Sequence, residues 1–158
     1  MKVVSNTSPL IILYKCDKLY LLENYLRCDY SPKVHDELIL NTKDPKQREV
    51  ISKCAFISIR KAPKKIPSFG HKIDRGEAEA IALASALKAD FLLVDDRRAQ
   101  RAARLLNITY ISTFAILLKV FQKGFINNFD ELIQQLEEQM IFLNRDLKNS
   151  IPGFLKLP

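Results

Sequence analysis

Short runs of β-branched and aromatic residues alternate with helical stretches along the chain, and this alternation limits the fold more than any other feature. Five runs are predicted to be β-strands: Val3–Ser5, Cys28–Tyr30, Phe56–Ile59, Phe91–Val94 and Ile108–Ile111. Strands that alternate with helices favour a parallel sheet wrapped by helices on both faces. In such a sheet, functional groups gather at the carboxyl ends of the strands, beside the point where the strand order reverses. The sequence therefore predicts an α/β fold with a site at that edge.

Capping residues predict where helices begin and end. Ser8, Ser31 and Asp44 each precede a proline, and Asp17 precedes KLYLLENYL. All four are predicted N-caps, because Ser and Asp side chains accept hydrogen bonds from the first helical turn, where proline is tolerated. Gly124 is predicted to end the helix TFAILLKVFQKG.

The length and composition indicate one domain. The chain has 158 residues, of which 47% are apolar, so it can bury a single core. No segment approaches the ~20 consecutive apolar residues of a membrane-spanning helix, and MKVVSNTSPL lacks the layout of a secretory signal. We therefore expect a cytoplasmic protein. Three cysteines without CxxC spacing indicate reduced, packed thiols rather than disulfides or a zinc site.

The charge is unevenly distributed. The formal net charge is +7, but residues 127–149 hold five acids against two bases, so this segment is −3 and the rest of the chain is +10. A basic body favours a polyanionic partner, since each phosphate contact by Lys or Arg releases counterions. The alternative is a basic surface that only keeps the protein in solution.

The C-terminal segment carries an apolar stripe at helical spacing. Its members are Phe129, Leu132, Ile133, Leu136, Met140, Leu143 and Leu147. Asn128 and Glu131 form a predicted capping box at the start of this helix. Whether the stripe covers the protein's own core or contacts a second chain stays open at this point.

Four polar residues stand where the predicted sheet would bring side chains together. Asn6 ends the first strand, Glu37 lies early in a helix, Glu77 opens the helix GEAEAIALASALK, and Asp95 ends FLLVD. Oxygen ligands of this kind suit Mg²⁺ or Mn²⁺. Of the two adjacent acids, Asp96 is predicted to cap the following helix, and Asp95 is the predicted ligand.

These residues also have purely structural interpretations. Glu77 can complete a capping box begun by Asp74. Glu37 can be a solvent-facing helical glutamate, and Asn6 can bond its own backbone in a turn. Glu79 is predicted to point away from the site and to be solvated or salt-bridged.

Four segments in this order resemble the PIN-domain nucleases: VVSNTSPLI, SPKVHDEL, RGEAEAIALASALKADFLLVDDRRAQRAA and ISTFAILLKVFQKGFI. The nearest resemblance is to relatives of the VapC-like ribonuclease toxins of toxin–antitoxin pairs. It implies a three-layer α/β/α PIN-like fold with a central mostly parallel sheet over residues 1–126. Residues 127–158 would form a C-terminal helical extension.

The resemblance also implies a function, namely Mg²⁺- or Mn²⁺-dependent cleavage of RNA. By resemblance, the catalytic and metal-binding residues are Asn6, Glu37, Glu77 and Asp95. A hydroxyl beside the metal would come from Ser5, Thr7 or Ser8. The expected partners are RNA, an antitoxin protein and a second copy of the chain in a homodimer, with no membrane.

Asn6 departs from the family's pattern, in which most active members carry aspartate. An amide keeps one oxygen ligand but removes a charge, so the four-residue cluster carries −3 rather than −4. The alternative function is therefore a weakened or inactive PIN-like domain that binds RNA or a protein. A nucleotide-binding domain is disfavoured, because neither G-x-G-x-x-G nor G-x-x-x-x-G-K-[ST] occurs.

Two basic groups are predicted to bind RNA phosphates. Arg97, Arg101 and Arg104 repeat at i, i+4 and i+7 directly after the Asp95 strand end. Lys61, Lys64 and Lys65 lie in the segment 60–74, RKAPKKIPSFGHKID, which is predicted to be an exposed, mobile loop. The alternative for the arginines is an ordinary solvated helix face.

Overall fold

The computed structural model describes residues 1–25, 27–69, 73–139 and 141. The strands are β1 (Lys2–Ser5), β2 (Arg27–Tyr30), β3 (Ile57–Ile59), β4 (Phe91–Leu93) and β5 (Tyr110–Ile111). The helices are α1 (Thr7–Lys15), α2 (Leu21–Tyr25), α3 (Pro32–His35), α4 (Pro45–Lys53), α5 (Arg75–Leu87), α6 (Arg97–Leu105), α7 (Thr113–Gln122) and α8 (Phe129–Glu138). A π-helical segment, Asp36–Leu40, continues α3. All five predicted strands are present.

The strands form one parallel sheet in the order β3-β2-β1-β4-β5. From β1 the chain winds outward to β2 and β3, then returns to the other side of β1 for β4 and β5. The strand order therefore reverses between β1 and β4. In a sheet of this kind the crevice for ligands lies at the carboxyl ends of these two strands.

Alternate residues of the strands face two separate cores. Val3 and Leu93 lie in a core that includes side chains of α1, α7 and α8, whereas Val4 and Leu92 lie in a core shared with α5 and α6. This alternation follows from the two-residue period of a strand. The predicted three-layer α/β/α fold is confirmed.

Most predicted helix boundaries are confirmed, but the one at Ser8 is wrong. Ser31 and Asp44 cap α3 and α4, and Gly124 follows α7 with a φ of 79°. Helix α1 instead begins at Thr7 with Asn6 in the N-cap position. Pro9 is thus its third residue, which is tolerated because the first helical N–H groups have no intrahelical acceptor.

The predicted N-cap at Asp17 is also wrong. Asp17 has a φ of 52° and donates its backbone N–H to the Tyr14 carbonyl at 3.0 Å, so it ends α1. Asp is one of the few residue types that adopt this left-handed conformation, and helix ends often require it.

Helix α8 packs onto the protein's own core. Leu132, Ile133 and Leu136 are buried, and Phe129 contacts Phe114 with ring centroids 5.7 Å apart. The Asn128 side chain accepts a hydrogen bond from the backbone N–H of Glu131. The other stripe residues, Met140, Leu143 and Leu147, lie outside the described residues. The division of the chain at residue 126 stays a prediction.

The predicted loop carries no helix or strand over residues 61–69, and Lys61, Lys64 and Lys65 are exposed. Residues 70–72 lie outside the described residues.

No described helix is long and apolar enough to cross a membrane. The three thiols are free, and burial raises the pKa of Cys28 to about 12.

Candidate active site

Asn6 lies at the reversal of strand order. Its backbone N–H donates to the Leu93 carbonyl at 3.0 Å, which joins the ends of β1 and β4. The side chain is 6% exposed and makes no capping hydrogen bond. Its Oδ1 is buried and has no hydrogen-bond partner among the described residues. An unsatisfied buried carbonyl costs about 1–3 kcal/mol, so this oxygen is a ready acceptor or ligand.

Glu37 reaches the same crevice from the π-helical segment. The Thr7 hydroxyl donates a hydrogen bond to Glu37 Oε2. Thr7 directly follows Asn6, so this bond brings Glu37 to the end of β1. Single π-helical turns inside helices often occur at functional sites, because the wider turn redirects the side chains that follow.

Gly76 allows the Glu37 carboxylate to lie against the start of α5. A Cβ at this position would be 3.0 Å from Glu37 Oε1 and 3.3 Å from Oε2. Any larger residue would force the carboxylate to shift. The close approach therefore explains why glycine stands here, in the first turn of a helix.

Glu77 lies in the same first turn and is buried. Asp74 Oδ1 accepts from the Glu77 N–H at 2.8 Å, and Glu77 Oε2 accepts from the Asp74 N–H at 3.2 Å. The predicted capping box is thus confirmed. The pKa of Glu77 is raised to about 7, first by burial and then by the charges of Asp74, Asp96 and Glu37, while the hydrogen bond with the Asp74 backbone lowers it.

Asp95 and Asp96 face different neighbours. Asp95 accepts hydrogen bonds from the backbone N–H and the hydroxyl of Thr113, both at 2.7 Å. Burial raises the pKa of Asp95, and these two bonds oppose the shift. Asp96 caps α6, as predicted, by accepting from the N–H groups of Arg98 and Ala99. It is Asp96 whose charge acts on Glu77.

Glu79 points away from the acidic residues, as predicted. It is 4% exposed, so the solvated interpretation is wrong and the salt-bridged one is confirmed. Its two oxygens accept from Arg75 Nε at 3.1 Å and from the Lys33 backbone N–H at 3.2 Å. Glu79 thereby ties α5 to α3, the helix that leads to Glu37.

The acidic crevice has the donor chemistry of a Mg²⁺ or Mn²⁺ site. Its side chains offer oxygen only, Asn6 Oδ1 lacks a partner among the described residues, and Glu77 is flanked by three carboxylates. Among the described residues, however, no group of three or more His, Cys, Asp or Glu side chains is arranged to hold a metal ion. The carboxylates are neighbours engaged in hydrogen bonds, and side-chain rotation would have to bring them onto an ion.

The arginine row lies on the exposed side of α6. Arg97, Arg101 and Arg104 line a small cavity together with Gln100 and Tyr110. Lys64 and Lys65 are exposed in the loop. Phe69, the one aromatic residue of that loop segment, packs against the α5 and α6 core.

Sequence analysis missed the roles that four residues have around the acidic side chains. Thr113 binds Asp95, Gly76 makes room for Glu37, and Asp74 and Asp96 add charge near Glu77. Gly76 directly precedes Glu77 in the first helical turn, where glycine is an unfavoured residue, and that was the available signal.

Comparisons with known proteins agree with this architecture. A family model described as a PIN domain matches residues 2–154. The chain therefore belongs to the PIN-domain family, a family of nucleases. A PilT N-terminus domain protein from the hyperthermophilic archaeon Sulfolobus solfataricus P2 has a similar structure, with a TM-score of 0.51 and 19% identity. The match covers 72% of this chain and 87% of that one, and it supports the fold. No curated protein matches the chain.

Proposed function

We propose that this PIN domain is a divalent-metal-dependent endoribonuclease with its metal site in the acidic crevice. One observation carries the proposal. Asn6 Oδ1 has no partner among the described residues at the point where the strand order reverses, and the next residue, Thr7, bonds Glu37, whose charge acts on Glu77. A cation at this place would satisfy the amide oxygen and offset the repulsion among the carboxylates.

Each residue has a distinct role in this proposal. Glu37 and Glu77 provide charged oxygens, Asn6 provides a neutral one, and the fourth oxygen comes from the Asp95–Asp96 pair. When bound, Mg²⁺ or Mn²⁺ supplies Lewis-acid chemistry, which makes water a better nucleophile and offsets charge on the phosphate. The Thr7 hydroxyl holds Glu37 in place through its hydrogen bond.

The substrate and partners follow from charge and family. A net charge of +7 supports RNA as the polyanionic substrate. An antitoxin partner is proposed from the resemblance to VapC-like toxins, and a homodimer and a cytoplasmic location stay expectations from the sequence. Asn6 supports a second candidate, a domain of weakened or lost activity that still binds RNA or a protein.

Mn²⁺ titration followed by thermal unfolding tests the metal site. An ion at 100-fold over its Kd stabilises the native state by ~2.7 kcal/mol. We expect Glu77→Gln to lose most of this stabilisation. Glu49→Gln is the matched control, because Glu49 is exposed and pairs with Lys53 on α4. Equal stabilisation of Glu77→Gln and the control would contradict the site.

The variants Asp95→Asn and Asp96→Asn test which of the two adjacent aspartates is the fourth ligand, beside Glu37, Glu77 and Asn6. Both changes are nearly isosteric, and asparagine caps helices as well as aspartate, so α6 should keep its start. We expect Asp96→Asn to weaken Mn²⁺ binding more, because Asp96 acts on Glu77 whereas Asp95 is bonded to Thr113. The reverse order would support Asp95, the choice made from the sequence.

Incubation of a mixed RNA pool with Mn²⁺ or with EDTA tests the activity itself. Cleavage only with Mn²⁺ is expected. Mn²⁺ binding without any cleavage would favour the inactive domain.

A further inference from the structure

The arginine row on α6 lines a partly open cavity of about 80 Å³, together with Gln100 and Tyr110. Cavities that hold small organic ligands measure about 300–1,000 Å³. This one is too small for a nucleoside and has room for a single compact group. Three of its lining residues are cationic and none is acidic, so the group it favours is an anion.

Tyr110 holds one wall of this cavity in place. Arg104 Nη2 donates a hydrogen bond to the Tyr110 hydroxyl at 2.5 Å, and the guanidinium lies 5.8 Å from the centre of the Tyr110 ring. Tyr110 is 1% exposed and belongs to β5, so the sheet fixes its position. Arg104 is therefore ordered before any ligand arrives, which reduces the entropy lost on binding.

Gln100 forms the floor of the cavity. It is 3% exposed, and its Nε2 donates to the Val94 carbonyl at 2.9 Å, at the end of β4. Arg97 is the first residue of α6 and follows Asp96 directly. With a rise of 1.5 Å per residue, Arg104 lies about 10.5 Å further along the axis. The row of arginines that lines the cavity thus begins directly after Asp96, whose charge acts on Glu77.

We propose that Arg97, Arg101 and Arg104, with Arg104 oriented by Tyr110, form a pocket for one phosphate group of a bound RNA strand. That the phosphate belongs to RNA rests on the proposed function. Guanidinium groups pair with phosphate through two parallel hydrogen bonds, and three of them around one small cavity suit a tetrahedral anion with several oxygens. A row of arginines that only supplied charge along an RNA strand would not need an arginine held in place by a buried tyrosine.

Fluorescence anisotropy with a 3′-labelled single-stranded RNA tests the pocket. EDTA is present, so neither metal binding nor cleavage contributes. We expect Arg101→Ala to weaken binding about tenfold, the loss typical of a charged hydrogen-bonded contact. The slope of log affinity against log salt should flatten by about 0.7. Arg98→Ala is the matched control. It removes the same charge from the same helix, but Arg98 is exposed and does not line the cavity.

Two further variants separate a shaped pocket from a charged surface. Tyr110→Phe keeps the ring and the net charge but removes the hydroxyl that orients Arg104, and it should weaken binding several-fold. Arg101→Lys keeps the charge but loses the planar fork, so it should recover only part of the affinity. If Arg101→Ala binds RNA as well as Arg98→Ala, the pocket is wrong. The pocket is also wrong if polyglutamate binds with Arg101 dependence while RNA does not.

The same RNA with a 5′-phosphate or a 5′-hydroxyl identifies which phosphate is bound. An Arg101 effect confined to the 5′-phosphorylated RNA indicates a terminal phosphate, and an equal effect on both indicates an internal one. Either result supports the pocket. Arg101-dependent binding without Mn²⁺-dependent cleavage would contradict the proposed nuclease activity but support the phosphate pocket. Cleavage with no effect of Arg101→Ala on binding would support the nuclease activity but contradict the pocket.

Discussion

Among single residues, Asn6 distinguishes this chain most clearly, because it places a buried amide oxygen without a described partner at the end of β1. Because its side chain is a neutral amide, Asn6 adds no negative charge to those of Glu37 and Glu77, which act on each other. The same amide provides an oxygen with no described partner. The sequence could predict that Asn6 lies at the end of the first strand, since strand ends follow from the hydrophobic pattern. It could not predict that Oδ1 is buried and unsatisfied, because that depends on the packing of β1 against β4.

Asn6→Asp should therefore change stability in opposite directions with and without metal. In EDTA the added carboxylate repels its neighbours, so the melting temperature should fall below that of the wild type. With Mn²⁺ the added charge strengthens ion binding, so the melting temperature should rise above it. Thermal unfolding of wild type and Asn6→Asp in EDTA and in Mn²⁺ measures both changes in melting temperature. A variant that is equally stable or unstable in both would show that Asn6 does not face an ion.

Glu77 should make the metal-free protein less stable as the pH rises. Its native pKa is about 7, against a value of 4.5 for the free side chain, so the native state holds this proton more tightly than the unfolded chain. The free energy of unfolding that the protonated Glu77 contributes is therefore fully present below the unfolded pKa and is lost as the pH rises through the native pKa. Glu77→Gln cannot ionise and keeps a side chain suited to the capping box. Urea unfolding in EDTA at about pH 5 and about pH 8 should therefore show a smaller fall in free energy for Glu77→Gln than for wild type. An identical fall would contradict the raised pKa.

At the scale of elements, helix starts explain both the successes and the failures of prediction. Ser31, Asp44 and Asp96 cap helices as predicted, because a cap depends on a local hydrogen bond. The prediction at Ser8 failed because α1 begins almost directly after β1, and the prediction at Asp17 failed because Asp17 lies in the turn that follows the last helical residue of α1, Lys15. These boundaries are fixed by the sheet and the core, which no short segment reveals.

The link between α5 and α3 through Glu79 should be a measurable part of stability. Glu79→Ala removes two hydrogen bonds and leaves the Lys33 N–H without this acceptor, so we expect a loss of about 1–3 kcal/mol. Glu49→Ala, which removes an exposed glutamate, should change stability by less than about 0.5 kcal/mol. Urea unfolding of both variants measures the difference. Equal losses would show that the link contributes nothing.

At the scale of the whole molecule, the sequence predicted the layers and the sheet but left the role of α8 open. The period of two in the strands specifies two cores, and both are present. An apolar helical stripe alone cannot distinguish its own core from a partner. Phe129 and Leu136 contact the core of the same chain, so the described part of the stripe covers the protein's own core.

Leu136→Ala should then destabilise the entire domain. Leu136 is 1% exposed in the same core as β1, so its truncation should cost about 2–5 kcal/mol. Leu105→Ala is the matched control, since Leu105 is 83% exposed and should change stability by less than about 0.5 kcal/mol. Unfolding curves that show two transitions, with only one affected by Leu136→Ala, would indicate that the segment after residue 126 folds separately.

In our proposal, the acidic residues around the ends of β1 and β4 cleave RNA with a divalent ion. A time course of cleavage of one labelled single-stranded RNA measures this activity. Wild type, Asn6→Asp and Glu77→Gln are compared in Mn²⁺ and in EDTA. We predict Mn²⁺-dependent cleavage by wild type, faster cleavage by Asn6→Asp, and a loss of at least about 100-fold in Glu77→Gln, the scale expected when a key electrostatic contribution is removed. Intact RNA with both wild type and Asn6→Asp, under conditions where Mn²⁺ is bound, would contradict the claim.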